Sequence, residues 1–229
     1  YVTGLSENDT HAGNSFLEDI YHTDKFDTKP GSNVIDLKDR LDTSKYLVPT
    51  SDIAALMVLD DGVRMHNYII HANYETRFAQ DERKKADTVP GWPEKRIANA
   101  VEPLLAYMLF RDEAPFKGKL TGAPQFVKDF EKVGPRDRKG RSLRELDLKT
   151  RLFKYPCNYQ INSKDFDALP AETKEVIWRR LSEVLTGKDQ TRMYKGMKSE
   201  DRQAVLEILL DTKPEFKKWC EEHHSIPTS

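Results

Sequence analysis

A chain of 229 residues with 37 Lys and Arg against 38 Asp and Glu carries a formal charge of −1. That balance excludes a molecule-wide field for nucleic acid or an anionic membrane and confines any such attraction to a local patch. With 33% charged residues, 38% hydrophobic ones and 10 Phe, 9 Tyr and 3 Trp, the surface is polar but one main core can still be filled.

No apolar run approaches the roughly eighteen residues of a membrane span. Cys157 and Cys220 form no Cys-x-x-Cys, so a zinc ribbon, a thioredoxin centre and covalent c-type haem attachment are excluded. One long-range disulfide and two buried or free thiols both stay open. The chain opens at Tyr1 without a charged-then-apolar leader, which suits a mature exported protein, a proteolytic fragment or a trimmed chain alike.

Residues 1–50 are broken by turn-formers such as Ser6-Glu7-Asn8-Asp9 and Lys29-Pro30-Gly31-Ser32-Asn33 and read as an extended N-terminal arm laid on the body. Val34-Ile35 and Tyr46-Leu47-Val48 are its candidate extended contacts. Residues 51–229 read as an α-helical domain.

Ser51 or Asp52 caps the strongest helix, from about Ile53 to about Ala79. At about 100° per residue, Leu56, Leu59, Val63, Ile70 and Tyr74 share one face and Met57, Val58, Met65, Tyr68 and Ile69 cover most of the rest. The helix is therefore predicted to be central and the most buried. Gly62 within it predicts a close neighbour or a bend.

A polar linker ends at Pro90-Gly91-Trp92-Pro93. A second helix is predicted over Glu94 to Phe110, kinked at Pro103, and a third over Ala123 to Lys132, stopped by Gly134-Pro135. Ser142 and Glu145 have capping-box spacing and predict a helix to about Phe153. Leu169-Pro170 opens the next, with Gly187 beyond its end. The last long helix follows Ser199, and a terminal turn at Phe216 to Cys220 docks Trp219. The fold class is mostly α: an irregular arm and a single bundle of six or seven helices.

Three groups of residues are candidates for chemistry. Asp60, Arg64, Asn67, His71 and Glu75 line one edge of the first helix, with His71 and Glu75 at the i, i+4 spacing of helical metal sites. The same spacing also describes ordinary i, i+4 pairs facing solvent. Met65 and His66 are haem axial-ligand types, but neighbours on a helix diverge too far to bind one iron, so core packing is the plainer reading. Asp60, His66, His71 and Glu75 are thus the candidates for a non-covalent metal or haem; no cofactor is predicted outright.

The third group lies between Lys132 and Lys154, where nine basic residues face three acids in a neutral protein. Arg136, Arg138, Arg141 and Arg144 around Gly140 are suited to a phosphate, a carboxylate, a haem propionate or an acidic protein surface. Equally, they can tie the loop to its own carboxylates. Arg138 and Arg141 are the side chains expected to reach outward. No aromatic-interleaved platform accompanies the charge, so nucleic acid is not the expected partner. No P-loop, Gly-x-Ser-x-Gly or His-Glu-x-x-His occurs.

The segments IAALMVLDDGVRMH (Ile53 to His66), GPRDRKGRSLRELDLKTRLFKYP (Gly134 to Pro156) and the stretch from Phe166 to Pro214 resemble the C-terminal helical region of a family of exported bacterial proteins with no assigned activity. Some members of that family are associated with c-type cytochromes. The resemblance implies an exported, periplasmic setting and a non-catalytic accessory or interaction role, with a c-type cytochrome, another redox protein or a multi-subunit complex as partner. The alternative it leaves is a metal- or haem-binding redox enzyme using the polar stripe. Where the family carries Glu-His-Gln this chain has Asp60-Asp61-Gly62, so one ligand-type histidine is missing.

Overall fold

The structure, a computed structural model, describes residues 19–25, 38–39, 42–46, 52–85, 87–111 and 113–225. The expected arm falls largely outside the described residues, as do Val34-Ile35 and Leu47-Val48; within it, Thr23–Lys25 form a short 3-10 turn. Seven α-helices and no β-strand occur among the described residues, so the fold is mostly α as expected. None of these helices is long and apolar enough to cross a membrane.

Asp52 opens α1 (Ile53–Glu82) by accepting the Ala55 N–H on Oδ1 at 3.0 Å, the N-cap bond that relieves one orphan donor of the first turn. The chain divides into two compact units, and the division falls inside α1 after Asp61.

The first unit comprises the residues up to Asp61, Ala114–Val133 and Leu146–Leu152. Its α3 (Pro124–Lys132) begins on Pro, where a missing N–H costs nothing. Phe126 and Phe130 stack one turn apart with centroids 5.7 Å from each other. Nearby, the Leu120 N–H donates to the Leu148 carbonyl at 2.8 Å and the Phe116 N–H to Thr150 at 3.1 Å. A Cβ added at Gly122 would stand 2.8 Å from Val127 Cγ2 and 3.1 Å from the Ala54 methyl, so this approach admits only glycine.

The second unit comprises Gly62–Glu113, Gly134–Glu145 and the chain from Phe153 onward. It contains α2 (Trp92–Met108), α4 (Lys164–Asp167), α5 (Ala171–Leu185), α6 (Ser199–Thr212) and α7 (Pro214–Glu222). The central helix is α5, which packs against α2, α6 and α7. Its Trp178 lies between Phe166 and Phe216, 5.5 Å from each ring centroid. The rest of the core is Ile97, Leu104, Leu105 and Met108 of α2 with Ile177, Leu181, Val205, Ile208 and Leu209. Burying each such side chain is worth about 1.5–3 kcal/mol before its entropy is charged against it. Asn158 caps a 3-10 turn at Tyr159–Asn162, and Ser163 caps α4 by accepting the Phe166 N–H.

Two expectations are corrected. The first concerns α1, which is real but not central. Leu59 is 64% exposed, Val63 52% and Ile70 38%, while Leu56 and Tyr74 are also exposed. The buried face of α1 instead carries Ala54 and Val58 in the first unit, and Met65, Ile69, Ala72, Thr76 and Ala79 in the second. Several of these are small, and small residues let neighbouring backbone come close. A Cβ added at Gly62 would lie 3.1 Å from Gln160 Nε2 and 3.3 Å from the Tyr159 hydroxyl, and Gln160 donates to the Gly62 carbonyl at 3.0 Å. Farther along, the Thr76 hydroxyl donates to Ala72 and shares a buried 2.7 Å bond with that of Thr173.

The second correction is the helix expected over Ser142 to Phe153, which is absent. Glu145 does accept the Ser142 N–H at 2.9 Å, but the Ser142 hydroxyl takes the Arg144 N–H, two residues on. That is a serine turn rather than a capping box. Asp147 then captures the N–H groups of Thr150 and Arg151, and Leu148 adopts φ 56°, a left-handed backbone that no helix continues through.

Both cysteines are free and buried. Burial pushes the Cys157 thiol far above its usual range, and burial, only partly opposed by a bond with Ser225, raises Cys220 as well.

Candidate functional site

On the polar edge of α1, His71 Nε2 stands 3.9 Å from Glu75 Oε1. Glu75 is already engaged, because Arg96 of α2 donates to its other oxygen at 2.6 Å and to Glu82 at 2.9 Å. These bonds to Glu75 and Glu82 raise the guanidinium pKa above its ordinary value. His71, Glu75, Trp92, Lys95, Arg96 and Asn99 line an open cleft of about 270 Å³, with the Lys95 ammonium 5.7 Å from the Trp92 ring centroid. Trp92, Lys95 and Asn99 were invisible as site residues in the sequence, since only the fold brings the start of α2 beside His71.

Asp60 does not join this group. It is eleven residues before His71 in the sequence and belongs to the first unit, His71 to the second. His66 points elsewhere, with Nδ1 3.4 Å from Asp165 of α4, and Met65 is buried in the core. Of the four candidates for a metal or haem, only His71 and Glu75 stand side by side. Among the described residues no three His, Cys, Asp or Glu side chains are placed to hold one ion.

The arginine loop is braced from within. Asp137, its carboxylate buried, accepts the N–H groups of Lys139 and Arg141 and the Arg141 guanidinium at 2.7 Å. Arg141 also bonds Glu207 of α6 at 2.6 Å, and Lys139 joins the same oxygen at 2.7 Å. Gly140 supplies the φ of 77° that closes the turn, and Arg136 donates to its carbonyl at 2.8 Å. Arg144 lays its guanidinium over the Tyr159 ring, 4.6 Å from the centroid, and burial lowers its pKa.

The expectation that Arg138 and Arg141 both reach outward is corrected for Arg141, whose side chain is only 19% exposed. Arg138 is 89% exposed, yet its Nε and backbone N–H both bond Asp211 of α6. Two carboxylates from outside the loop, Glu207 and Asp211, thus pair with three of its nine basic residues, a closeness that exists only in the folded chain.

Bonds from Gln203, Lys139 and Arg141 hold the Glu207 carboxyl down to about 2 against an ordinary 4.5. A depressed folded pKa contributes stability that is fully present above about pH 4.5 and is lost as pH falls toward 2. After allowance for solvent screening this is on the order of 1 kcal/mol. Thermal melts between pH 5 and pH 2 are expected to fall more steeply for the wild type than for Glu207→Gln; parallel curves would remove Glu207 from the acid response.

The least expected surface is the outer face of α1. In the second unit Val63, Ile70, Tyr74 and Phe78 stand exposed on one side of the helix, with Tyr74 at 60% and Phe78 at 55%. The sequence pattern predicts Val63, Ile70 and Tyr74 as interior, and the fold adds Phe78 to their exposed side. Arg64 and Arg77 do not cover it: Arg64 sits over the Tyr107 ring at 5.2 Å and Arg77 donates to Asn73 at 2.7 Å. No family model, curated protein or solved structure matches this chain.

Proposed function

We propose that this protein is a non-catalytic helical interaction module, an accessory subunit that assembles with other protein through the outer face of α1. The observation that carries the reading is the exposure of Val63, Ile70, Tyr74 and Phe78 along one side of a regular helix. The largest apolar patch on a soluble monomer, typically a few hundred Å², is often its functional contact surface. The arginine loop fits the same reading as a brace, with Arg138, Lys139 and Arg141 bonded to α6. The family resemblance adds an exported, periplasmic setting and a c-type cytochrome or another redox protein as a candidate member of the assembly.

Hydroxyl-radical footprinting tests this without presuming the partner. In assemblies isolated from the native source, Tyr74 and Phe78 are expected to be oxidised at least fivefold more slowly than in the dilute purified chain, while exposed Trp92 changes little. Equal oxidation of Tyr74 and Phe78 in both samples would overturn the proposal.

A further inference from the structure

The cleft beside His71 has walls from two helices. Along α2, Trp92, Lys95, Arg96 and Asn99 recur at helical spacing and so share one face, and His71 and Glu75 complete the lining from α1. Arg96 braces the two walls, donating to Glu75 at 2.6 Å and to Glu82 at 2.9 Å, both on α1. The volume of about 270 Å³ falls just under the range of sites for drug-sized molecules and matches a ligand of one ring.

The groups not spent on that brace decide what the cleft takes. Among the described residues the Lys95 ammonium has no carboxylate partner and lies instead 5.7 Å from the centroid of the exposed Trp92 ring. The Asn99 amide likewise has no hydrogen-bond partner among them. His71 reaches Glu75 only at 3.9 Å, beyond hydrogen-bond range. Three polar groups with unspent bonding capacity thus surround an exposed indole face. Charge narrows the choice further. Glu75 lines the cleft and Glu82 shares its arginine, so a single unpaired ammonium beside two carboxylates favours one negative charge over the two of a phosphate.

We infer that this cleft is a binding site for a small aromatic monocarboxylate, with Trp92 as platform, Lys95 as counter-ion, and Asn99 and His71 as polar contacts. The ligand ring stacks on the indole in place of the ammonium, which swings aside and pairs with the carboxylate carried by that ring. Asn99 and His71 remain for a hydroxyl on the ring. The inference is independent of the contact role of the outer face of α1 and stands or falls without it. An open cleft and a ligand of about ten heavy atoms correspond to a dissociation constant of roughly 1 mM, so the ligand leaves during isolation and Trp92 stays a fair footprinting control.

The test is a titration of the full chain with 4-hydroxybenzoate to about 20 mM, well past that affinity, followed through the indole N–H resonances of its three tryptophans. The Trp92 resonance is expected to shift and saturate with a midpoint of roughly 1 mM, while those of the buried Trp178 and Trp219 stay in place. Cyclohexanecarboxylate keeps the charge without the π face, 4-hydroxybenzamide keeps the ring without the charge, and inorganic phosphate carries the second charge. Each should bind at least about fivefold more weakly. Lys95→Met and Lys95→Glu, both at an exposed position, should each weaken 4-hydroxybenzoate by at least about fivefold; either one suffices if the other does not fold. Absence of a saturable Trp92 shift by about 20 mM, equal binding of any of the three comparison compounds, or unchanged affinity in the Lys95 variants would each overturn the inference.

Discussion

Replacing Arg180 with Leu is expected to lower stability by about 3–5 kcal/mol and the melting temperature by about 10 °C. Arg180 of α5 joins three carboxylates at once, bonding Glu102 at 3.1 Å, Glu183 at 2.5 Å and Asp189 at 2.7 Å. The fully buried Tyr194 donates its hydroxyl to the same Glu102 at 2.8 Å, so the arginine anchors α2, α5 and the loop after α5 together. Glu102 and Glu183 are partly exposed and can rehydrate when the cation is removed. Asp189 cannot, its side chain being only 3% exposed.

Burial by itself acts to raise Asp189, and bonds from Thr191 and Arg180 outweigh it and hold the group below its ordinary value. Without the guanidinium, burial regains ground and the folded pKa rises. A raised folded pKa makes protonation stabilising, so the Arg180→Leu deficit is expected to shrink as pH falls from 7 toward 4. Thermal melts of wild type and variant across that interval measure both the size and the sign. A deficit under 1 kcal/mol, or one that grows in acid, would contradict the buried-carboxylate account.

The second large effect is expected at Trp178→Ala, about 3–5 kcal/mol from lost transfer energy and the cavity left between Phe166 and Phe216. Phe78→Ser removes another large ring, one that is exposed and has the Arg96 guanidinium 6.0 Å from its centroid, and is expected to change stability by no more than about 1 kcal/mol. Urea unfolding of the two variants separates core from contact surface directly. If Phe78→Ser proved the more damaging, α1 would be the central helix after all.

That contrast marks where the sequence could be read and where it could not. The start of α1 was legible because Asp52 is a local device acting three residues away, and α2, α3, α5 and α6 were legible from period and from Pro or Ser at their starts. The face of α1 was not. Hydrophobicity ranks Leu59, Val63 and Ile70 above Ala72, Thr76 and Ala79, whereas close packing around Gly62 favours the small side. Ser142 and Glu145 misled for a related reason: their spacing is that of a helix start, but Asp147 competes for the following N–H groups and Leu148 turns left-handed. In the candidate site, the arginines could be found as a cluster, but the pairing of Arg138 with Asp211 and of Arg141 with Glu207 depends on residues about seventy positions away.

The two buried thiols give the molecule an internal clock for its own opening. In the native state Cys157 is wholly enclosed and held in the protonated form, and only a thiolate attacks a disulfide reagent. Labelling must therefore wait for a fluctuation that exposes the sulfur, and its rate reports the population of the open state when reclosing is fast. Cys220 sits on the terminal α7 and Cys157 just before the 3-10 turn that leads into α4. Equal labelling rates would describe a unit that opens all at once, and faster labelling at Cys220 would describe one whose last helix detaches while the centre stays closed.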